Sequence, residues 1–323
     1  MKTSEKIIKY LAESQQASVN ELVEYLQLSR MAVSRQLNNL LAQGEVKKIG
    51  RPPIVFYMLE NENMEKTQKI IIEDKIKKTI EENFLFITPT GKRKEGFDGF
   101  VFWCEKINQP IEKSAIDYVK TLKKYNAFKK NDIIDGMKKF KATFEEVGLD
   151  EIFYLDFYSI ERFGKTKLGQ LLLYAKQSQN KKLMRELTED IKPMVDMLIK
   201  KYNIDGIGFI PPTVKREVQL MKELERNLHE HVRRVSIVKV KTEVAVPQKT
   251  LNKLGDRIEN AKNTIIVDDR GTFGNVLLID DAVGSGATLN ETAMQIKEKK
   301  IAKKVIGLSI TGSFKGFDVI SEV

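Results

Sequence analysis

Two adjacent acids, Asp280 and Asp281, end an apolar run in residues 276–289 (VLLIDDAVGSGATL) and stand directly before a loop of small residues. The pattern predicts a buried strand, an acid pair, a loop and a helix N-terminus, in that order. In the loop and helix start, Val283, Gly284, Ser285, Gly286, Ala287 and Thr288 carry little side-chain bulk. Their backbone N–H groups can converge on a phosphate, and Ser285 and Thr288 add hydroxyl donors. Asp280 and Asp281 are spaced to accept hydrogen bonds from a ribose diol, or to help hold a magnesium ion attached to that sugar. A plainer reading stays open: Asp280 caps the turn, Asp281 is solvated, and no ligand is involved.

The elements that must position this loop are legible as an alternation. Apolar strand-like runs at 207–210, 237–240, 265–267, 276–279 and 305–310 are interleaved with helical stretches at 214–232 and about 289–299. Strands alternating with helices predict an open, mostly parallel α/β sheet covered on both faces, with ligands at the carboxyl ends of its strands. This layout resembles the phosphoribosyl-pyrophosphate signature of type I phosphoribosyltransferases. Over residues 150–312 it is most similar to their ComF-like group, and a domain is drawn at 151–323. Gln248, Leu251, Arg257 and Asn260 follow that group's spaced pattern, and residues 207–219 (IGFIPPTVKREVQ) resemble its first strand and pyrophosphate loop.

The resemblance implies phosphoribosyl pyrophosphate or a related nucleotide as ligand, with magnesium, and assigns Lys215 and Arg216 as its cations. In an active transferase Asp280 or Asp281 would steady the sugar cation, while Arg216 would offset charge on the departing pyrophosphate. Three departures stand out: no four-cysteine zinc element, no Gly-Phe-Asn run after the arginine loop, and Gly284 where such enzymes frequently carry threonine. Ligand binding tolerates these changes better than catalysis does.

At the other end of the chain, helical spacing from Ser4 to Ser14, a capping box of Ser18 and Glu21, and Ser29 as a second cap predict three helices, the last stopped at Gly44. On the third, Val33, Leu37, Leu40 and Leu41 share one face, and Met31, Ser34, Arg35, Asn38 and Asn39 lie around the other. Two strand-like runs, 45–49 and 54–59, flank Gly50-Arg51-Pro52-Pro53. Residues 4–59 thus resemble a winged helix-turn-helix DNA-binding domain, drawn at 1–60. The resemblance implies Met31, Ser34, Arg35 and Asn38 facing a major groove, Lys47 and Lys48 near phosphates, and Arg51 at the wing tip reaching a minor groove. It also implies a homodimer on paired half-sites, although winged helices serve protein contacts as well.

Between these ends, residues 61–150 read as a linker helix (61–82) followed by a small mixed region. Runs at 84–87 and 100–104 around Thr88-Pro89-Thr90-Gly91 suggest a hairpin, and the lysines recurring from Ser114 to Phe144 suggest a solvated helical face. Gly164-Lys165-Thr166 imitates the end of a Walker loop, but Ser159 stands where the opening glycine belongs, so a phosphate wrap is not expected.

A length of 323 residues predicts two or three domains. No apolar run approaches a membrane span and no secretory pattern follows Met1, which predicts a cytoplasmic protein with no membrane partner. The single Cys104 excludes an intrachain disulfide, and the pair His229 and His231 is poorly spaced for a metal. A net charge of +10 favours polyanionic partners. The expected function is a DNA-binding transcriptional regulator sensing phosphoribosyl pyrophosphate. An active phosphoribosyltransferase and a ComF-like role in DNA uptake are the alternatives.

Overall fold

The computed structural model describes residues 2–14, 16–51, 54–60, 72–212, 214, 216–228, 231–240, 242–244 and 246–313, with the backbone alone at 49–51 and 54. The chain divides into two compact units, residues 1–71 with 89–91, and residues 72–88 with 92–323.

In the first unit, α1 (Thr3–Ser14) precedes the short strand β1 (Ala17–Ser18), α2 (Val19–Leu26) and α3 (Arg30–Ala42). The capping box forms as the sequence predicts: the Glu21 N–H donates to the Ser18 hydroxyl at 3.3 Å, and the Ser18 N–H donates to the Glu21 carboxylate at 2.6 Å. Gln27 turns the chain in the left-handed region at φ 51°, and Ser29 accepts from the Ala32 N–H to start α3. Strands β2 (Val46–Arg51) and β3 (Ile54–Leu59) make an antiparallel hairpin that β1 extends to three strands. Ile7, Leu11, Leu22, Val33, Leu37, Leu40 and Val46 close one core beneath them.

The second unit opens with α4 (Asp74–Asn83), the described part of the expected linker helix; residues 61–71 lie outside the described residues. The expected hairpin forms, but its second strand is β5 (Arg93–Glu95), paired with β4 (Leu85–Ile87). The run 100–104 instead belongs to α5 (Gly96–Lys106), which buries Phe97, Phe100 and Cys104 on one helical stripe. Next come α6 (Ile111–Asn126), β6 (Lys129–Lys130), β7 (Ile133–Asp135) and α7 (Met137–Thr143), so the lysine-rich stretch is helical only in part.

The remaining elements are β8 (Glu151–Phe157), β9 (Ser159–Ile160), β10 (Gly164–Lys165), α8 (Lys167–Ser178), α9 (Lys181–Lys201), β11 (Gly206–Phe209), α10 (Leu220–Leu228), β12 (Arg233–Arg234), β13 (Ile237–Lys239), α11 (Leu254–Thr264), β14 (Ile265–Val267), β15 (Phe273–Val283), α12 (Ala287–Glu298) and β16 (Ala302–Gly312). The central sheet runs β12-β11-β15-β16-β8-β7-β6. Its first five strands are parallel, and β7 and β6 add an antiparallel edge. Residues 129–135, expected in a separate middle region, therefore complete the same sheet. Leu155, Ile207, Ile279 and Leu308 pack with Leu172, Leu187 and Leu224, burying one sheet face under α8, α9 and α10. Among the described residues, none from α12 belongs to that cluster; the helix packs on β15 and β16 and on β14.

Two expectations need correction. The runs 237–240 and 265–267 do not enter the parallel sheet; β13 and β14 form their own antiparallel pair. The reason is a side chain: Gln295 of α12 accepts from the Val267 N–H and donates to the Ile265 carbonyl, tying β14 to the helix. The helix expected at 214–232 is α10 alone, because Gln219 donates to the Val214 and Arg216 carbonyls and the Val218 N–H donates to Gln179 Oε1, holding the preceding residues as a loop.

Candidate functional site

In the parallel sheet the chain leaves β15 through α12 towards β16 on one side, and leaves β11 through α10 towards β12 on the other. Such a reversal opens a crevice at the carboxyl ends of the two middle strands. A cavity of about 340 Å³ lies there, lined by Ile210, Pro211 and Pro212 after β11 and by Asp280 to Thr288 at the end of β15. Tyr158 follows β8 into the same wall, and Gln248, Lys249, Asn252 and Arg257 close another side.

The small-residue loop has the conformation its sequence calls for. Gly286 caps α12 at φ 85°, where a Cβ is strained, and a Cβ there would also run into the ring of buried Phe140 from α7. The first N–H groups of α12 have no partner within the helix, and Ala287 and Thr288, at the positive pole of the helix dipole, line the cavity. Ser285 is buried, with its hydroxyl accepting from the Ala287 N–H at 3.3 Å. Gly284 lies against Arg257, whose Nη1 would be 3.4 Å from a Cβ on the glycine. Arg257 Nε in turn donates to the Leu251 carbonyl, and Gln248 donates to the Arg257 carbonyl.

Asp280 and Asp281 lie side by side in parallel β15, and the Asp281 N–H donates to Asp280 Oδ1 at 2.8 Å. Burial, reinforced by the neighbouring Asp281 charge, pushes the Asp280 carboxyl up to about 7. Asp281 is paired with a residue that no motif suggested: Lys176, on the last turn of α8, donates through Nζ to Asp281 Oδ2. Burial opposes the Lys176 charge, but Asp281 and Asp280 outweigh it and raise its pKa. Arg216 lines the cavity and donates to the Lys176 carbonyl and, at 3.1 Å, to Gln177 Oε1. Lys215 lies outside the described residues.

One cavity thus gathers Asp280, Asp281, residues 283–288 and Arg216. Sequence reasoning missed Lys176 and Tyr158, which approach from α8 and β8, more than a hundred residues away in the chain. The Walker-like Gly164-Lys165-Thr166 is structural: Gly164 and Lys165 form β10, and Thr166 caps α8, accepting from the Gly169 N–H at 3.0 Å and donating to the Phe157 carbonyl.

Magnesium fits this donor set poorly. Two carboxylates would be enough for a substrate-borne Mg²⁺, but Asp281 already binds the Lys176 ammonium, which repels a dication and occupies a ligand position. Among the described residues no group of three or more His, Cys, Asp or Glu side chains is placed to hold a metal ion.

In the first unit α3 presents Met31, 83% exposed, together with exposed Arg35 and Asn38; Ser34 is half-buried. Lys48 is exposed and Lys47 half-buried on β2, whose last residue is Arg51. Arg51 is described by its backbone alone, and Pro52 and Pro53 lie outside the described residues.

Residues 3–48 match the family described as bacterial regulatory protein, arsR family. With the capped α2–α3 pair, this match supports a DNA-binding helix-turn-helix domain at the N-terminus. No curated protein matches the chain. Among solved structures, a hypoxanthine phosphoribosyltransferase from Staphylococcus aureus is similar at 15% identity and a TM-score of 0.25, over 40% of this chain and 64% of that one. The chain therefore spans less than two thirds of that enzyme, and the likeness is too slight to carry an argument. Among the described residues no helix is long and apolar enough to cross a membrane.

Proposed function

We propose that the protein is a DNA-binding transcriptional regulator whose C-terminal unit binds phosphoribosyl pyrophosphate or a related nucleotide as its signal. One observation carries this reading: an acid pair and a glycine-pinned helix N-terminus share a cavity at the point where the sheet's strand order reverses. The acids accept from a ribose diol, residues 283–288 take the 5-phosphate, and Arg216, with its sequence neighbour Lys215, meets the remaining phosphates. Ile210, Pro211, Pro212 and Leu172 give the cavity an apolar side against which a base can stack.

At the other end, α3 enters a major groove with Met31, Ser34, Arg35 and Asn38. Lys47, Lys48 and Arg51 hold the backbone and the adjoining minor groove, and two copies occupy paired half-sites. Ligand acts on DNA affinity by binding two states of the protein unequally.

Isothermal titration with phosphoribosyl pyrophosphate, followed by assay of pyrophosphate release with a panel of bases, tests the reading. Saturable binding without release is expected of a sensor. Release with one base would make the protein a transferase, and absence of binding would end the proposal for this cavity.

A further inference from the structure

Within the cavity, Lys176 holds two groups at once. Its ammonium is bonded to Asp281, and its backbone carbonyl accepts from Arg216. The acid pair and the cationic loop are thus both attached to one turn of α8, a helix anchored at its far end by the Thr166 cap. Two adjacent carboxylates in a shielded cavity repel each other and need a cation between them and an incoming anionic ligand.

An ammonium has three N–H donors, and a single bond to Asp281 leaves two for a ligand. A sugar hydroxyl suits that arrangement, because it donates to a carboxylate while accepting from the ammonium. Lys176 is 38% exposed against 14% for Asp281, and it lines the cavity that the ligand would fill. The charge that a divalent ion would supply beside the sugar is already covalently part of the protein.

On the reading proposed above, we infer that Lys176 is the built-in counter-cation of the sugar site, so that the cavity takes its phosphorylated ribose without a divalent metal. Lys176 is then a ligand-binding residue, and replacing it creates a requirement for metal where none existed. The Lys176→Met side chain keeps the length of the stem and removes the charge, leaving Asp281 to recruit a cation from solution.

The test is titration of the full chain with phosphoribosyl pyrophosphate in EDTA and in magnesium, for the wild type, Lys176→Met and Lys176→Arg, with thermal unfolding to confirm that each is folded. Wild-type affinity is expected to agree within about threefold between the two buffers, whereas Lys176→Met should lose about tenfold or more in EDTA and recover most of it with magnesium. Lys176→Arg should retain metal-independent binding. Wild-type binding about tenfold weaker in EDTA than in magnesium would overturn the inference without needing any variant. A Lys176→Met loss that is equal in both buffers would also overturn it, by making Lys176 an ordinary contact. Absence of wild-type binding in either buffer would instead remove the sugar-phosphate reading on which the inference rests.

Discussion

A carboxyl raised towards neutrality makes the folded state sensitive to pH. Burial, and after it the Asp281 charge, pushes the Asp280 carboxyl from its ordinary 3.8 up to about 7, against the pull of Lys176. Between those values the folded protein keeps a proton that the unfolded chain releases, so the contribution of Asp280 to stability falls as pH rises through this window. Asp280→Asn should therefore gain in melting temperature relative to the wild type as pH rises from about 4 to about 7 and hold that gain above, while losing phosphoribosyl pyrophosphate binding. A gap between the two melting curves that does not change with pH would refute this account. At Gly286 the positive φ and the Phe140 ring act together, and Gly286→Ala should cost ~2 kcal/mol or more in urea unfolding. Adding Phe140→Ala should remove the steric coupling between the two sites and leave the backbone strain, which a double-mutant cycle will separate. Cys104 is fully buried, and burial pushes its thiol up to about 11, so it should resist alkylation in the native protein and react once urea unfolds it.

Elements were legible where local chemistry decides them. Ser18, Glu21, Ser29 and Gly44 mark the helices of the first unit because caps act within a few residues. The acid pair, small loop and helix from 280 to 298 were legible for the same reason. Residues 100–104 misled because Phe100, Phe102 and Trp103 favour strands individually, yet the buried set Phe97, Phe100 and Cys104 has helical spacing, a signal present in the sequence and outweighed. Strands β6 and β7 had no such signal, since β7 takes its place in the sheet by pairing with β8, some twenty residues on, and β6 pairs with β7. Lys176 was illegible for a stronger version of that reason: nothing in a helix's own pattern tells which carboxylate its last turn will meet. Distant pairing also explains how the segment before β8 is held. Asn290 of α12 accepts from the Gly148 N–H and donates to the Glu146 carbonyl, both at 3.0 Å. Asn290→Ala should leave the buried Gly148 N–H unpaired and lower stability by about 1–3 kcal/mol, with faster hydrogen exchange confined to residues near 146–149.

At the scale of the whole chain, a basic protein of +10 net charge joins a DNA-binding unit to a second unit that carries a cavity of about 340 Å³. If the two communicate, ligand and DNA must change each other's affinity by one common factor. A mobility shift on an operator recovered by selection should move about fivefold or more in affinity with saturating phosphoribosyl pyrophosphate, and the Asp280→Asn protein should not respond. Arg35→Ala should weaken operator binding about tenfold with unchanged ligand binding, whereas a charge contact to phosphate alone would lower affinity for every sequence alike and flatten the salt dependence.

The wall bearing Gln248 and Arg257 does not grow from the seven-stranded sheet. It follows the β13–β14 ribbon, which is fastened to α12 through Gln295 and by Lys299 donating to the Val267 carbonyl. The strand that ends at the acid pair and the wall bearing Gln248 and Arg257 are therefore held by different elements, and they meet where Gly284 lies against Arg257. The Gln248–Arg257 wall thus hangs on α12 rather than on the sheet, and Gln295→Ala should loosen that wall, read as faster hydrogen exchange at β14, while the parallel strands keep their protection.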